Sequence, residues 1–241
     1  LMRIFQGDRI GPLLDRLGVP DDMPIQHNSV SKTLEAAQKR VEGVNFDVRK
    51  TLLEYDDVLR QQRETIYNQR SFILEHEDVH SVIVEMFKRV IKNLVNKHVE
   101  YNGKNEELNV NALLESLQTM NFTDIDLQAE ELKNKTTEEA IEIAYNKAIH
   151  SYEAKIEPFK EISFKLEKDI VLSIVDRSWQ EHIDTMSKLR EGIHLRSYAQ
   201  NKPLQAYIEE GYNLFEDMLN NISEETVAFC LRMRVEIKRK A

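Results

Sequence analysis

The chain has 241 residues, of which 41% are hydrophobic and 31% are charged, with a net charge of −9. This length holds one or two domains, and without a concentrated basic face the chain does not resemble a nucleic-acid-binding protein. The single cysteine, Cys230, excludes an internal disulfide framework and a multi-cysteine zinc site, and no apolar run approaches the roughly 20 residues that cross a bilayer.

The first 28 residues differ in character from the rest. Residues 1–28 hold three of the seven glycines and three of the five prolines, which predicts turns around one short helix. We interpret this stretch as the edge of another domain.

A long helix is predicted over residues 29–74. Apolar residues recur there at steps of three and four, which is typical of one helix face. Glu35 and Lys39 are placed to pair across one turn. Because helices take most of their stability from packing, this face should contact a second helix, a twin copy or another domain. The residues of the face are Val30, Leu34, Ala37, Val41, Val44, Val48, Leu52, Tyr55 and Leu59.

Residues 75–158 are predicted to form a smaller helical unit. It contains the acidic stretch 104–146, with ten acidic and three basic residues. A first helix carries the apolar stripe from Val79 to Leu94, "YNGKNEE" interrupts it, and a second helix covers 110–117. A third helix has Thr136 or Thr137 near its cap and Glu139 in its first turn.

Two further long helices are predicted in residues 159–241. Their connection is the stretch "EGIHLRSYAQNKPLQAY", where Gly192 is a candidate C-cap and Pro203 a candidate first helical residue. Helices joined by a short link fold back on each other, so we expect an antiparallel hairpin. The predicted fold class is therefore all-α: a long helix packed with a two-helix hairpin, plus a small helical unit.

Two side-chain groups invite a functional interpretation. "HEDVH" matches the zinc-protease pattern, with His76 and His80 as ligands and Glu77 as base, but a third ligand is not evident. Tyr198 lies at the predicted hairpin tip, where an aromatic ring either contacts a varied partner or folds back onto its own helices. Trp179 and His182 are predicted to be core residues.

Two stretches resemble a known family. "RVEGVNFDVRKTLLEYDDVLRQQRETIYNQR" resembles the helical scaffold of SecA, the ATP-driven motor of bacterial preprotein translocation. "LREGIHLRSYAQNKPLQAYIEEGYNLFEDML" resembles the two-helix finger of that family, and "LMRIFQGDRIGPLLDRLGV" looks like the end of its second nucleotide-binding domain. The resemblance implies that 29–74 is the scaffold helix, 75–158 the helical wing and 159–241 the finger.

The resemblance also implies a function. The fragment would couple motor movement to pushing preproteins through the SecY channel, and the finger tip would contact the unfolded preprotein through Tyr198, Leu195, Arg196 and Gln200. Neither a catalytic residue, a metal nor a cofactor site is expected in the fragment, because ATP and Mg belong to the motor domains of the parent chain. Expected partners are SecYEG, preprotein, those motor domains and an anionic membrane surface, but not nucleic acid.

The implied location is the bacterial cytoplasm and the cytoplasmic face of the cell membrane, as a peripheral protein. Two alternatives remain. One is a coiled-coil-like helical scaffold that oligomerises through the long helix. The other is a zinc hydrolase at His76 and His80.

Overall fold

The computed structural model describes residues 28–102, 105–122, 125–196 and 203–233, and these are almost entirely helical. The all-α prediction is confirmed. No helix in the described ranges is long and apolar enough to cross a membrane. In chain order the elements are α1 (Asn28–Glu75), α2 (His80–Lys97), β1 (Val99–Asn102), β2 (Asn105–Leu108), α3 (Val110–Thr119), α4 (Ala129–Leu132), α5 (Thr137–Ile156), a 3-10 turn (Glu157–Phe159), α6 (Lys160–Arg196) and α7 (Pro203–Arg232).

The chain divides into two compact units, residues 1–57 and 58–241, and α1 contributes to both. In the first unit, α1 carries the predicted pair, with Lys39 Nζ 3.3 Å from Glu35 Oε1. Three apolar residues on successive turns are exposed there: Val44 (57%), Val48 (54%) and Leu52 (51%). Because large apolar groups are usually buried or in contact, this stripe is a surface suited to another protein element.

The second unit contains most of the helical unit predicted at 75–158, and we call its part from His80 to Ile156 the wing. Its core is built on α2 and α5, which pack against each other. Phe87 of α2 is fully buried, and α5 buries three small residues at four-residue spacing, Ala140, Ala144 and Ala148. Small side chains let two helices approach closely. Phe87 also stacks on Tyr152, with ring centroids 5.0 Å apart.

Helix caps in the wing follow the sequence prediction. The Thr136 hydroxyl accepts from the Glu139 backbone N–H at 3.3 Å, and the Glu139 carboxylate accepts from the Thr136 N–H at 2.9 Å. This reciprocal capping box fixes the start of α5, and it selects Thr136 over Thr137.

The break predicted at "YNGKNEE" is a pair of strands. β1 and β2 are antiparallel, with Val99 opposite Leu108 and Asn102 opposite Asn105. The sequence predicted the break but not the strands, although a glycine between two short segments is a recognised hairpin signature.

The prediction that Gly192 ends its helix is wrong. α6 continues through Gly192 to Arg196, and Ile193 is only 3% exposed. One interior glycine costs a helix about 1 kcal/mol, which burial of a neighbouring isoleucine can offset. Pro203 is the first residue of α7, as predicted.

Candidate functional site: the seam between the long helix and the hairpin

The predicted finger-tip residues lie at and beyond the end of α6. Leu195 and Arg196 belong to its last turn, and Tyr198 and Gln200 lie outside the described residues. The described structure therefore presents the helices that support the tip.

Those two helices run antiparallel, as predicted. Near the open end, Arg177 of α6 pairs with Glu225 of α7. Towards the connection, the ring of His182 lies 5.6 Å from that of Phe215. From the first contact to the second, the residue number increases in α6 and decreases in α7. The two helices therefore run in opposite directions, as the arms of a hairpin do.

A buried glutamine joins α1 to both arms of the hairpin. Gln62 is 7% exposed, and its Nε2 donates to the carbonyl oxygen of Gly211 in α7 at 3.0 Å. Its Oε1 lies 2.9 Å from Nε2 of His182 in α6. Buried polar groups are costly unless they are hydrogen-bonded, so these bonds hold the three helices in one register.

This arrangement also sets the state of His182. Because the amide nitrogen of Gln62 faces a carbonyl, its oxygen faces the imidazole, and Nε2 of His182 must carry the hydrogen. Burial lowers the pKa of His182 below its ordinary value. The ring is therefore neutral and donates to Gln62 near physiological pH.

Further contacts continue along α1 and α6. Arg70 of α1 donates two hydrogen bonds to Asp176 of α6. Its Nε lies 2.7 Å from Oδ1, and one η nitrogen lies 3.1 Å from Oδ2. The rings of Tyr67 and Trp179 meet edge to face, 6.5 Å apart. Trp179 is 6% exposed and His182 4% exposed, so the prediction that both are core residues is confirmed.

The three helices pack closely together at Gly211. A Cβ added there would lie 2.8 Å from Cε of Met186 in α6 and 3.8 Å from Cγ1 of Val58 in α1. The absence of a side chain thus permits close packing. We define the seam as the set of residues that joins α1 to the hairpin: Val58, Gln62, Tyr67, Arg70, Asp176, Trp179, His182, Met186, Gly211 and Phe215.

The family follows from comparison with known proteins. A family model described as the SecA Wing and Scaffold domain matches residues 24–234. The chain belongs to this family. It is accordingly a component of the SecA protein translocase, and the resemblance found in the sequence is confirmed.

In this SecA wing and scaffold region, the two histidines of the zinc-protease pattern do not lie on one helix. α1 ends at Glu75 and α2 begins at His80, so His76 and His80 do not share one helix face. His76 instead stacks on Phe72, with centroids 4.0 Å apart. In the part of the chain that is described, no group of three or more His, Cys, Asp or Glu side chains is placed to hold a metal ion.

The sequence does not indicate that Gln62 is buried in the seam. It is one polar residue within a helix rich in charged and amide side chains, and only its tertiary neighbours distinguish it. The glycine at 211 did carry a signal, because an isolated glycine inside a helical pattern commonly marks close packing.

Proposed function

We propose that this region couples ATP-driven movement of the SecA motor domains to the passage of preproteins through the SecY channel. The observation that supports this most directly is the Gln62 node, where one side chain of α1 bonds to both arms of the hairpin. Since packed helices move as rigid bodies more readily than they deform, displacement of this part of α1 would carry both arms with it.

In this proposal the hairpin tip acts on the preprotein. Tyr198 would contact the unfolded chain, with Leu195, Arg196 and Gln200 around it. A tyrosine ring offers a large apolar face and little side-chain entropy to lose, which suits contacts that do not depend on sequence. ATP and Mg would be held by the motor domains, and the assembly would work at the cytoplasmic face of the membrane with SecYEG.

The test uses full-length SecA that carries this region. We expect Gln62→Leu to reduce preprotein transport into SecYEG vesicles while basal ATP hydrolysis is retained, because the motor runs but its movement reaches the hairpin less efficiently. Gln69→Leu, an exposed glutamine on the same helix, is the matched control. Unchanged transport by Gln62→Leu would contradict coupling through the seam.

A separate variant tests the tip. Tyr198→Ala should impair transport with basal ATP hydrolysis largely intact, whereas Tyr198→Phe should be milder because the ring supplies the contact. Full transport by Tyr198→Ala would remove the tip assignment without affecting the seam.

A second candidate function is oligomerisation through the exposed stripe of α1. Val44, Val48 and Leu52 lie on one face and are each more than half exposed. Light scattering over a concentration series distinguishes this function, since an oligomer that uses the stripe would dissociate in Val48→Glu. A monomer at every concentration would eliminate it.

A further inference from the structure

A groove lies on the surface where the last turns of α1 meet α2 and α7. Its volume is about 790 Å³, which is the size of a ligand-binding cleft. The core lies directly beneath it, because Ile73, Val175 and Ile222 line the groove and are buried, and α2 packs along α7. The groove is therefore already formed, and a ligand can enter it without separating the helices.

Three apolar side chains in the groove are open to solvent. Phe72 of α1 is 44% exposed, and Met86 of α2 and Leu219 of α7 are half-buried. Each of the three helices thus contributes one of them to the same concave surface. Apolar groups that line a concave surface are typical of a contact with a ligand or another protein. An occupant of the groove should therefore present apolar side chains to it.

One wall of the groove is basic. It is formed by Lys88, Arg89 and Lys92 of α2, which all line the groove and are exposed; we call these three residues the basic wall. Among the described residues, none of the three side chains takes part in a hydrogen bond or an ion pair. α2 as a whole carries four basic residues and one acidic residue, although the net charge of the chain is −9.

The acidic residues at the groove do not neutralise the basic wall. Glu85 and Glu216 also line the groove, but within the described part of the chain neither carboxylate forms an ion pair with the basic wall. A row of unpaired positive charges attracts anionic groups and selects against cationic ones. The wall is therefore available to carboxylates that come from outside the chain.

A pair of amides joins α2 to α7 within the groove. Nδ2 of Asn93 donates to Oδ1 of Asn220 at 3.1 Å. The oxygen of Asn93 and the nitrogen of Asn220 keep their own capacity to accept and to donate, which matches the N–H and the C=O of a peptide backbone. A helical segment satisfies these backbone groups itself, whereas an extended segment needs partners for them. The amides therefore favour an extended peptide over a helix.

The length of the groove sets the size of the occupant. α2 borders the groove from Val82 to Asn93, a distance of about 17 Å along the helix axis. An extended chain covers that distance with about five residues, and its successive side chains point to opposite sides. When one set of side chains faces the apolar surface of the groove, the other set points outwards, where the long side chains of the basic wall can reach it.

We propose that this groove binds an extended segment of a partner protein in which acidic and apolar residues alternate. The apolar side chains contact Phe72, Met86 and Leu219, and the carboxylates pair with the basic wall. This docking function is additional to the coupling proposed above and does not depend on it, because the groove does not have to move.

Binding is measured by fluorescence anisotropy with the 241-residue chain. The probe is a short labelled peptide in which glutamate and leucine alternate, and the comparison peptide has lysine in place of glutamate. We expect the acidic peptide to bind at least about tenfold more tightly than the basic one, and its affinity to fall as salt is added. Absence of binding, or equal affinities for the two peptides, would overturn the proposal.

A charge reversal locates the site. Arg89→Glu removes a base from the wall and adds an acid, so it should weaken binding of the acidic peptide by about tenfold or more. Lys97→Glu is the control, because it makes the same change of charge at an exposed position of α2 outside the groove. Its affinity should stay within about twofold of the parent. Equal losses in the two variants would show that the peptide responds only to the net charge of the chain, and would overturn the groove as the site.

The apolar surface is tested by Phe72→Ser, at a side chain exposed enough for the variant to fold. It should weaken binding of the acidic peptide, and an unchanged affinity would show attraction by charge alone, which contradicts a peptide seated in the groove. Vesicles of phosphatidylglycerol provide the alternative anionic surface. Binding of vesicles that Arg89→Glu abolishes, without binding of the acidic peptide, would make the basic wall a membrane contact and overturn the proposal.

Discussion

Replacing Gln62 by leucine tests whether the seam depends on its buried polar bonds. Leucine keeps most of the volume but leaves Nε2–H of His182 buried without an acceptor. An orphaned buried donor costs about 1–3 kcal/mol. The carbonyl of Gly211 is less affected, because it lies within α7 and also has a ladder partner there. We therefore expect Gln62→Leu to lower the free energy of unfolding by about 2 kcal/mol.

Gln62 and His182 should behave as a coupled pair, because each is the hydrogen-bond partner of the other. His182→Leu alone leaves the Gln62 oxygen unpaired and should cost a similar amount. In the double variant neither orphan remains, so its loss of stability should fall short of the sum by about 1–2 kcal/mol, as for side chains in direct contact. Gln69→Leu, on the exposed face of α1, should change stability by less than about 0.5 kcal/mol.

The single tryptophan makes the assay specific. Trp179 lies in the seam and is 6% exposed, so its fluorescence during urea titration reports unfolding of this region. Additive losses in the double variant, or a Gln62→Leu midpoint equal to that of Gln69→Leu, would refute the view that these bonds hold the three helices together.

Three further outcomes follow from local structure. Gly43→Ala should stabilise α1 by about 1 kcal/mol in urea titration, since a Cβ there meets nothing within 4 Å among the described residues; a loss of stability would reveal an unseen contact. Thr136→Ala should lower stability by about 1 kcal/mol through loss of the cap, with Thr136→Ser as a near-neutral control; equal losses in both would contradict the capping role. Burial raises the pKa of the Cys230 thiol to about 12, so Ellman's reagent should modify it only after unfolding, and rapid reaction in the folded protein would show that the end of α7 opens.

The long helices were predictable because their signals repeat. Apolar residues stepping by three and four define α1 over many turns, and one or two irregular positions do not obscure that pattern. The capping box at Thr136 was predictable for a different reason. Its two partners are only three residues apart, so the whole interaction lies within a short stretch of sequence.

The two strands and the buried polar residues Gln62 and Glu167 could not be predicted from a repeating or local sequence pattern. β1 and β2 are four residues each and carry polar and acidic side chains, so they lack a sustained alternation of apolar residues. Glu167 lies in a highly charged stretch and would be taken for a solvent-exposed residue. Its complete burial results from the meeting of α2, α5 and α6, and contacts of that kind leave no local signal.

The buried His182 and the partly buried His80 should together give stability a maximum near the ordinary histidine pKa. Burial lowers the pKa of His182, so the unfolded chain takes up the proton first, and stability falls as the pH drops below about 6.5 through the folded-state value. The bond to Glu167 raises the pKa of His80, so its stabilisation is fully present below about pH 6.5 and is lost as the pH rises through its raised value. Urea midpoints measured from about pH 5.5 to about pH 8.5 should therefore decline on both sides. His80→Gln should flatten the alkaline side alone and His182→Gln the acid side alone, so each variant is the control for the other. An alkaline decline that survives in His80→Gln would show that the bond between His80 and Glu167 is not its cause.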